Sequence, residues 1–236
     1  MKRFLFVALL SVALLGFSGA GKLFAVMQVW EGWGNFGIFG EPEPEVSMSA
    51  CDAMDITAVD AIGFVYHRVS DRARNATHIG WRWRIDEGPD PTFLGQPKQD
   101  RPVSIHLIFE PPESRGSYSE WQLWLSGFPK EAHVLTYVWG SANAPGSIVV
   151  NPYHERGRLI VLRNGLGGYG NWQSERVDIR GDFENLFGKP FEELAYVVVS
   201  SDTDDSDSVA KVLLRDIFFE DGEGERFSPC GSEEDS

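Results

Sequence analysis

Cysteine and histidine, the residues of thiol and zinc chemistry, are scarce in this sequence. It contains two cysteines and five histidines, and it has neither a Gly-x-Ser-x-Gly nor a His-Glu-x-x-His motif. It also lacks a Glu-x-Asp-x-Glu strand segment of the kind that sandwich glucanases show. These absences argue against a serine hydrolase and a zinc protease. An enzyme is therefore the less favoured class of protein. A glycoside hydrolase whose two catalytic carboxylates meet only in the folded chain stays an open alternative.

Positive charge is also in short supply. Lys and Arg total 21 against 35 Asp and Glu, which gives a formal net charge of −14. Binding to phosphate backbones depends on clustered Lys and Arg, so nucleic acid and anionic membranes are poor partners. Neutral ligands, cations, and anions held in a local basic pocket remain compatible with this charge.

The N-terminus is typical of an export signal. Lys2 and Arg3 precede the apolar stretch 4–17, and Ser18-Gly19-Ala20 supplies the small residues of a cleavage site. We predict a signal peptide at residues 1–20, a mature protein that is periplasmic or secreted, and no stable membrane span after cleavage. An uncleaved anchor is the alternative, because apolar residues resume at 23–29. No cysteine stands at the cleavage point, which argues against a lipid anchor.

The two cysteines, Cys51 and Cys230, lie near the two ends of the predicted mature chain. Export would place them in an oxidising compartment, where unpaired thiols are a liability. We therefore favour a disulfide between them over two unrelated thiols.

Short apolar segments separated by turn residues follow one another along most of the chain, a pattern typical of an all-β protein. We predict a two-sheet sandwich of jelly-roll type with one short helix, Asp182–Phe187. The sandwich is expected at 58–221, after an irregular N-terminal arm at 21–57 and before an acidic tail at 222–236. The last two strands, joined by an acidic turn, are expected to form a hairpin. The predicted strands are Ala61–Val69, His78–Asp86, Val103–Glu110, Trp121–Leu125, His133–Trp139, Ser147–Val150, Arg158–Arg163, Gln173–Ile179, Glu193–Ser200 and Val209–Glu220.

Several short motifs occur in a characteristic order between Ala61 and Phe219. Together they resemble the exported bacterial family known as domain of unknown function 3047 (DUF3047). That family has no established activity, substrate or catalytic residues, so the resemblance implies no site residue; the segment 23–58 departs from its pattern. The final Asp-rich turn and Asp-Ile strand resemble those of carbohydrate-binding sandwiches, an analogy of fold alone. The motifs are Trp81-Arg82-Trp83-Arg84-Ile85, Asp100-Arg101-Pro102, Tyr137-Val138-Trp139-Gly140, Asn151-Pro152-Tyr153, Arg176-Val177-Asp178-Ile179, Phe187-Gly188-Lys189-Pro190, Asp202-Thr203-Asp204-Asp205 and Arg215-Asp216-Ile217.

Arginines alternate with tryptophans at 81–84, which places the indoles on one face of a strand and the guanidinium groups on the other. An unpaired buried charge is costly, so these arginines must be paired or must bind something. We predict a cleft that holds a carboxylate or a polar sugar through fork-like hydrogen bonds. The alternatives are internal Arg–Asp pairs that lock strands together and a hydrogen-bonded core histidine. The predicted residues are Arg82, Arg84, Asp100, His106 and Arg163.

Aromatic residues and an amide bracket the loop 140–146. Tyr137, Trp139, Asn151 and Tyr153 suit a sugar ring, whose C–H face stacks on an aromatic ring while its hydroxyls take hydrogen bonds. Trp139 is the preferred stacking residue because it falls at a strand end. The alternative is that the aromatic residues pack at the edge of the core.

The turn before the last strand is rich in carboxylates. Asp202, Asp204, Asp205 and Asp207 offer the oxygen ligands that calcium requires. The EF-hand glycine and glutamate are missing, and a solvated turn is the alternative.

We interpret the sequence as an exported, non-catalytic sandwich that binds carbohydrate or a related polar ligand, with calcium as a candidate ion. A polysaccharide-cleaving enzyme is one alternative, with Arg84, His106 and Tyr137 as neutraliser, base and acid. A structural protein of the cell envelope without a ligand is the other.

Overall fold

The computed structural model describes residues 32–96, 99–165 and 167–230, apart from the side chain of Trp124. The predicted signal peptide and the end of the acidic tail lie outside these residues. Among the described helices, none is long and apolar enough to cross a membrane.

Two β-sheets form the body of the protein. The seven-stranded sheet consists, in spatial order, of β1 (Trp33–Gly37), β4 (Ile62–Arg68), β11 (Glu193–Asp202), β6 (Arg101–Glu110), β7 (His133–Ser141), β9 (Gly157–Asn164) and β8 (Ile148–Val150). The six-stranded sheet consists of β10 (Gln173–Asp178), β5 (His78–Glu87), β12 (Val209–Glu220), β3 (Ala53–Val59) and β2 (Glu45–Ala50), with β13 (Arg226–Phe227) paired to β12. Neighbouring strands are antiparallel except for β7 and β9. The predicted sandwich of jelly-roll type is confirmed.

The main core lies between the two sheets and is rich in aromatic rings. The alternation along β5 turns Trp81 and Trp83 inward, as the sequence predicts. They meet Tyr137 and Trp139 of β7, with ring centroids 5.9 Å apart for Trp81 and Tyr137 and 5.5 Å apart for Trp83 and Trp139. All four side chains are fully buried, so large rings hold the two layers together.

The centre of the seven-stranded sheet is buried on its outer face as well. Every residue of β6 and β7 is buried, because the connection between them folds back over that face. From this connection, Tyr118 and Leu123 pack on Ile108 and Val134. Burial on both faces therefore extends to polar residues of these strands, among them Ser104, His106 and Thr136.

The predicted hairpin of the last two strands is wrong. β11 pairs with β4 and β6, whereas β12 pairs with β3 and β5, so the acidic turn crosses from one sheet to the other. The backbone N–H and the hydroxyl of Thr203 both bond to the carbonyl of Ala61, at 3.0 and 3.1 Å. Ala61 itself lies where the chain crosses from β3 to β4. Two crossings thus share one corner of the sandwich.

The predicted strand Trp121–Leu125 is also wrong, because these residues belong to the helix α1 (Glu120–Ser126). The hydroxyl of Ser119 caps this helix by accepting a hydrogen bond from the N–H of Gln122 at 3.2 Å. The predicted helix at 182–187 exists but begins earlier, as α2 (Ile179–Phe187), because Asp178 is its N-cap. The protein therefore has two α-helices in its described part rather than one.

The segment predicted as an irregular arm forms three strands in its described part, β1, β2 and β3. Close packing requires a glycine at position 34, since a Cβ there would collide with the ring of Tyr66. The predicted disulfide is confirmed: Cys51, between β2 and β3, is bonded to Cys230, with Cα atoms 6.1 Å apart.

Candidate functional site

A cleft of about 760 Å³ opens on the outer face of the seven-stranded sheet. Its floor comes from β4, β6 and β9, and its walls come from the loops after β1, α1 and β8 and from the acidic turn after β11. The side chains that line it are Phe36, Ile38, Ile62, Phe64, Arg101, His106, Ser126, Phe128, Lys130, Asn151, Tyr153, His154, Glu155, Leu159, Asp202, Asp204 and Asp205.

Aromatic rings form one wall of this cleft. Phe36 and Phe64 are stacked, with centroids 4.7 Å apart and ring planes 8° apart. Phe128 meets Phe64 edge-on at 5.8 Å and contacts His106 at 5.1 Å. Tyr153 lies at another side of the cleft and is 72 % exposed. The cleft thus offers aromatic surface that a ligand can reach.

His106 lies on the floor, and neighbouring strands hold both of its ring nitrogens. Nδ1 is 2.9 Å from the hydroxyl of Thr136 on β7, and Nε2 is 2.8 Å from the hydroxyl of Ser200 on β11. Burial, with the nearby charge of Arg101, lowers the pKa of His106 to about 3. His106 is therefore a neutral hydrogen-bonding group at physiological pH, which fits the alternative of a hydrogen-bonded core histidine.

Carboxylates converge at the end of the cleft formed by the acidic turn. One oxygen each from Asp100, Asp202 and Asp204 lies within 4.8 Å of the others. Arg101 donates to Oδ2 of Asp202 at 3.1 Å. Burial raises the pKa of Asp202 to about 8; Asp204 and Asp100 act in the same direction, and Arg101 acts against them. Asp202 is therefore largely protonated at neutral pH in the free protein.

Asp100, which belongs to this group of three carboxylates, is held in place by the acidic turn. Asp100 is 1 % exposed; its Oδ1 accepts from the N–H of Asp205 at 3.2 Å, and its Oδ2 accepts from the hydroxyl of Ser206. Hydrogen bonds from the turn thus fix this carboxylate behind the cleft.

The family model described as Protein of unknown function (DUF3047) matches residues 45–218. The chain belongs to this family. The match spans both sheets from β2 into β12, which confirms the resemblance found in the sequence. Among curated proteins, none matches the chain.

Three solved structures of enzymes illustrate the fold-level similarity to this DUF3047 chain. The xyloglucanase domain of NopAA, a type three effector from Sinorhizobium fredii, solved with cellobiose, is 11 % identical with a TM-score of 0.44, over 83 % of this chain and 92 % of that one. A family 12 xyloglucanase from Bacillus licheniformis is 6 % identical with a TM-score of 0.42, over 82 % and 88 %. An ENZbleach xylanase is 12 % identical with a TM-score of 0.42, over 91 % and 89 %. TM-scores this low carry no argument about ligand or activity.

The predicted arginine cleft is not formed. Arg82 and Arg84 lie on the outer face of the six-stranded sheet, away from His106. Arg82 pairs with Asp216 at 3.0 Å and Arg84 with Asp86 at 2.8 Å. Both guanidinium groups also lie over the ring of Trp172, at 5.0 and 5.4 Å from its centroid. Of these two pairs, Arg82–Asp216 links β5 to β12, as the alternative of pairs that lock strands together predicts, whereas Arg84–Asp86 lies within β5; both pairs are partly exposed.

Arg163 is engaged in the same way. Its Nε donates to Glu175, which also accepts from the indole N–H of Trp83 at 3.0 Å. This carboxylate joins the edge of the six-stranded sheet to the aromatic core, so Arg163 acts between the layers rather than toward the cleft.

The predicted aromatic site is divided between the core and the cleft. Trp139 and Tyr137 are fully buried, and the hydroxyl of Tyr137 donates to Asp182 on α2 at 2.8 Å. A ligand cannot stack on either ring, which corrects the prediction for Trp139. Asn151 and Tyr153 do line the cleft, where the side chain of Asn151 accepts from the N–H of Tyr153 at 2.9 Å.

The predicted catalytic trio is dispersed over three layers. Arg84 is on the outer face of the six-stranded sheet, Tyr137 is between the sheets, and His106 is on the outer face of the seven-stranded sheet. These side chains cannot act on one substrate, so this enzymatic hypothesis is wrong.

The predicted calcium ligands separate as well. Asp202 and Asp204 converge, but with Asp100, which the sequence analysis had assigned to the arginines. Asp205 and Asp207 have exposed side chains, and Asp207 has a left-handed backbone with φ of 49°. The four-carboxylate set is therefore not formed.

Sequence reasoning also missed the aromatic wall. Phe36, Phe64 and Phe128 are distant in sequence and meet only because β1 pairs with β4 and the loop after α1 folds over them. The alternation of residues around Phe64 is the one local signal that its side chain points away from the core between the sheets.

Proposed function

We propose that the cleft on the seven-stranded sheet binds an oligosaccharide, and that the protein is a non-catalytic binding sandwich. The observation that carries this proposal is the combination of an aromatic wall with a polar floor inside a cleft of about 760 Å³. Ligand sites commonly have this form, a mostly apolar concavity with a few fixed polar groups.

The chemistry of the lining fits a sugar. The rings of Phe128 and Tyr153 provide faces for the C–H side of a pyranose. Asn151, Asp202 and Asp204 provide polar atoms for hydroxyl groups, and His106 is fixed by its two neighbours beneath them. The acidic balance of the chain, −14, disfavours a polyanionic ligand.

The compartment belongs to the same proposal. The Cys51–Cys230 disulfide is typical of proteins that live in an oxidising environment. Together with the N-terminal signal pattern, it supports a periplasmic or secreted protein that meets glycans of the envelope or of the surroundings.

The proposal is tested with the full chain, expressed with its own N-terminal segment and purified as the cell processes it. Melting temperature and calorimetry are measured against neutral glucan, xylan and uronate oligosaccharides. We expect one neutral class to bind. Tyr153→Ala is expected to weaken this binding about five-fold, since loss of an exposed stacking ring costs about 1 kcal/mol.

Phe93→Ala is the matched control, because Phe93 is 60 % exposed and lies outside the cleft. This variant should bind as the unmodified protein does. Flat melting curves with every glycan, or equal losses in the two variants, would contradict the proposal.

A further inference from the structure

The acidic end of the cleft has more negative than positive groups. Asp100, Asp202 and Asp204 share the site with Arg101, which donates a hydrogen bond to Oδ2 of Asp202 at 3.1 Å. Two of the three carboxylates are at least nine-tenths buried, at 1 % exposed for Asp100 and 7 % for Asp202. Like charges this close cannot all be ionised without a compensating cation.

One carboxylate oxygen in this group receives no hydrogen bond from an amide, guanidinium or hydroxyl group. Oδ1 of Asp202 is buried, and no such group of the described residues donates to it. Its partner oxygen is held by Arg101. Asp202 also shares a hydrogen bond with the carboxyl group of Asp204, which requires a proton on one of the two acids. Burial and the adjacent carboxylates raise the pKa of Asp202 to about 8, so in the free protein a proton occupies the place that a cationic donor could take.

We propose that this end of the cleft, formed by Asp202 and Asp204 with Asp100 behind them, is a subsite for a protonated primary amine. The preferred ligand would then be an oligosaccharide that contains an amino sugar with a free ammonium group. This inference rests on the proposed function, because it assigns the ligand class of the same cleft.

The number of available oxygens favours an ammonium group over calcium. Calcium takes about six to eight oxygen ligands, but both oxygens of Asp100 accept from the turn and Oδ2 of Asp202 accepts from Arg101. An ammonium group has three donors and no acceptor. Oδ1 of Asp202 and the carboxylate of Asp204 match that smaller requirement.

Binding of the amine should release a proton. The ammonium group donates to Asp202 and Asp204, which keeps Asp202 ionised, and the proton of Asp202 leaves to solvent. The charged groups that face Asp202 are Arg101 on β6, Asp100 before it and Asp204 in the turn. Affinity should therefore increase as the pH rises from about 5 to about 6.5, a range in which the sugar amine stays largely protonated while the competing proton of Asp202 is progressively lost.

The experiment compares two β-linked oligomers of equal length by calorimetry, one of glucosamine and one of N-acetylglucosamine. They differ in the charge of the amine and in its acetyl group. At about pH 6, where the sugar amine is protonated, we expect the glucosamine oligomer to bind at least ten-fold more tightly. The heat of binding should depend on the ionisation heat of the buffer, as expected for proton release.

Variants of the same turn assign the effect to the site. Asp204→Asn should abolish the preference for the amine, because it should weaken binding of the glucosamine oligomer much more than binding of the acetylated oligomer. Asp207→Asn is the matched control, since Asp207 is exposed and lies outside the cleft lining; it should keep the preference. Asp202→Asn is a second variant, used in case Asp204→Asn lowers the melting temperature. Because asparagine does not titrate, the heat of binding of this variant should no longer depend on the ionisation heat of the buffer.

The outcomes separate the two proposals. Equal affinity for the two oligomers would overturn the amine subsite and leave the saccharide cleft intact. No binding of either oligomer or of any neutral glycan would overturn both. A rise in melting temperature with calcium alone that Asp204→Asn removes and Asp207→Asn retains would identify a divalent-cation site and overturn the ammonium assignment.

Discussion

Asp202 makes the free protein less stable as the pH rises. Its pKa is about 8 in the folded chain against a usual 3.8, so between these values the folded state binds more protons than the unfolded state. Stability from this group is fully present below pH 3.8 and is lost as the pH rises through about 8. A pKa difference of about four units corresponds to a free energy of the order of 5 kcal/mol, at about 1.4 kcal/mol per unit.

Asp202→Asn tests this reasoning, because asparagine keeps the shape of the neutral carboxyl group and does not titrate. Urea unfolding of both proteins is measured from pH 4 to pH 8.5. The free energy of unfolding of the variant minus that of the unmodified protein should increase by several kcal/mol across this range. Groups outside this carboxylate cluster titrate alike in both proteins and cancel in the difference.

Asp207→Asn is the control for this series, since the same change at an exposed position of the same turn should give a flat difference. A flat difference for Asp202→Asn would refute the reasoning. It would mean that Asp202 is ionised in the folded protein at neutral pH and that Arg101 compensates its burial.

Three further predictions concern stability. Replacing Cys51 and Cys230 by alanine opens a loop with a sequence separation of 179, and urea unfolding should show a loss of about 5 kcal/mol from the entropy of the unfolded chain; a loss under 1 kcal/mol would contradict that. His106→Ala leaves two buried hydroxyl groups without a partner and should cost about 2 to 4 kcal/mol by the same assay, whereas an unchanged midpoint would show that water replaces the ring. Arg74→Met removes the partner of the buried Glu110, 2.9 Å away, and should cost about 3 to 5 kcal/mol. Arg74→Lys keeps the positive charge, so an Arg74→Lys variant that is no more stable than Arg74→Met would argue against a role of the charge.

Local patterns in the sequence predict the orientation of individual strands well. The alternation in β5 places Trp81 and Trp83 in the core, and the apolar run of β11 marks a buried strand. Alternation does not specify which sheet a strand joins, and this is why the sequence pattern predicts a hairpin at the acidic turn although the turn connects two sheets. At α1, aromatic residues favoured a strand, but the cap at Ser119 and the packing of Leu123 on the outer sheet face stabilise a helix.

The candidate site is less predictable than the fold because it depends on pairings distant in sequence. Asp100 and Asp202 meet because β6 and β11 are neighbours and Arg101 lies opposite Asp202 in their register. The sequence predicts a role for both carboxylates, but at separate sites. Arg82 and Arg84, in contrast, pair with Asp216 and Asp86 on the outer face of the six-stranded sheet, and their side chains are partly exposed.

The shared corner of the sandwich gives the acidic turn a mechanical role. The turn links β11 of one layer to β12 of the other, and Thr203 ties it to the second crossing at Ala61. Relative sliding of the two layers would change the spacing of Asp202 and Asp204, because Asp202 ends a strand of one sheet and Asp204 belongs to the crossing. A ligand held by these two carboxylates would therefore lie at the junction of the layers and oppose their relative movement.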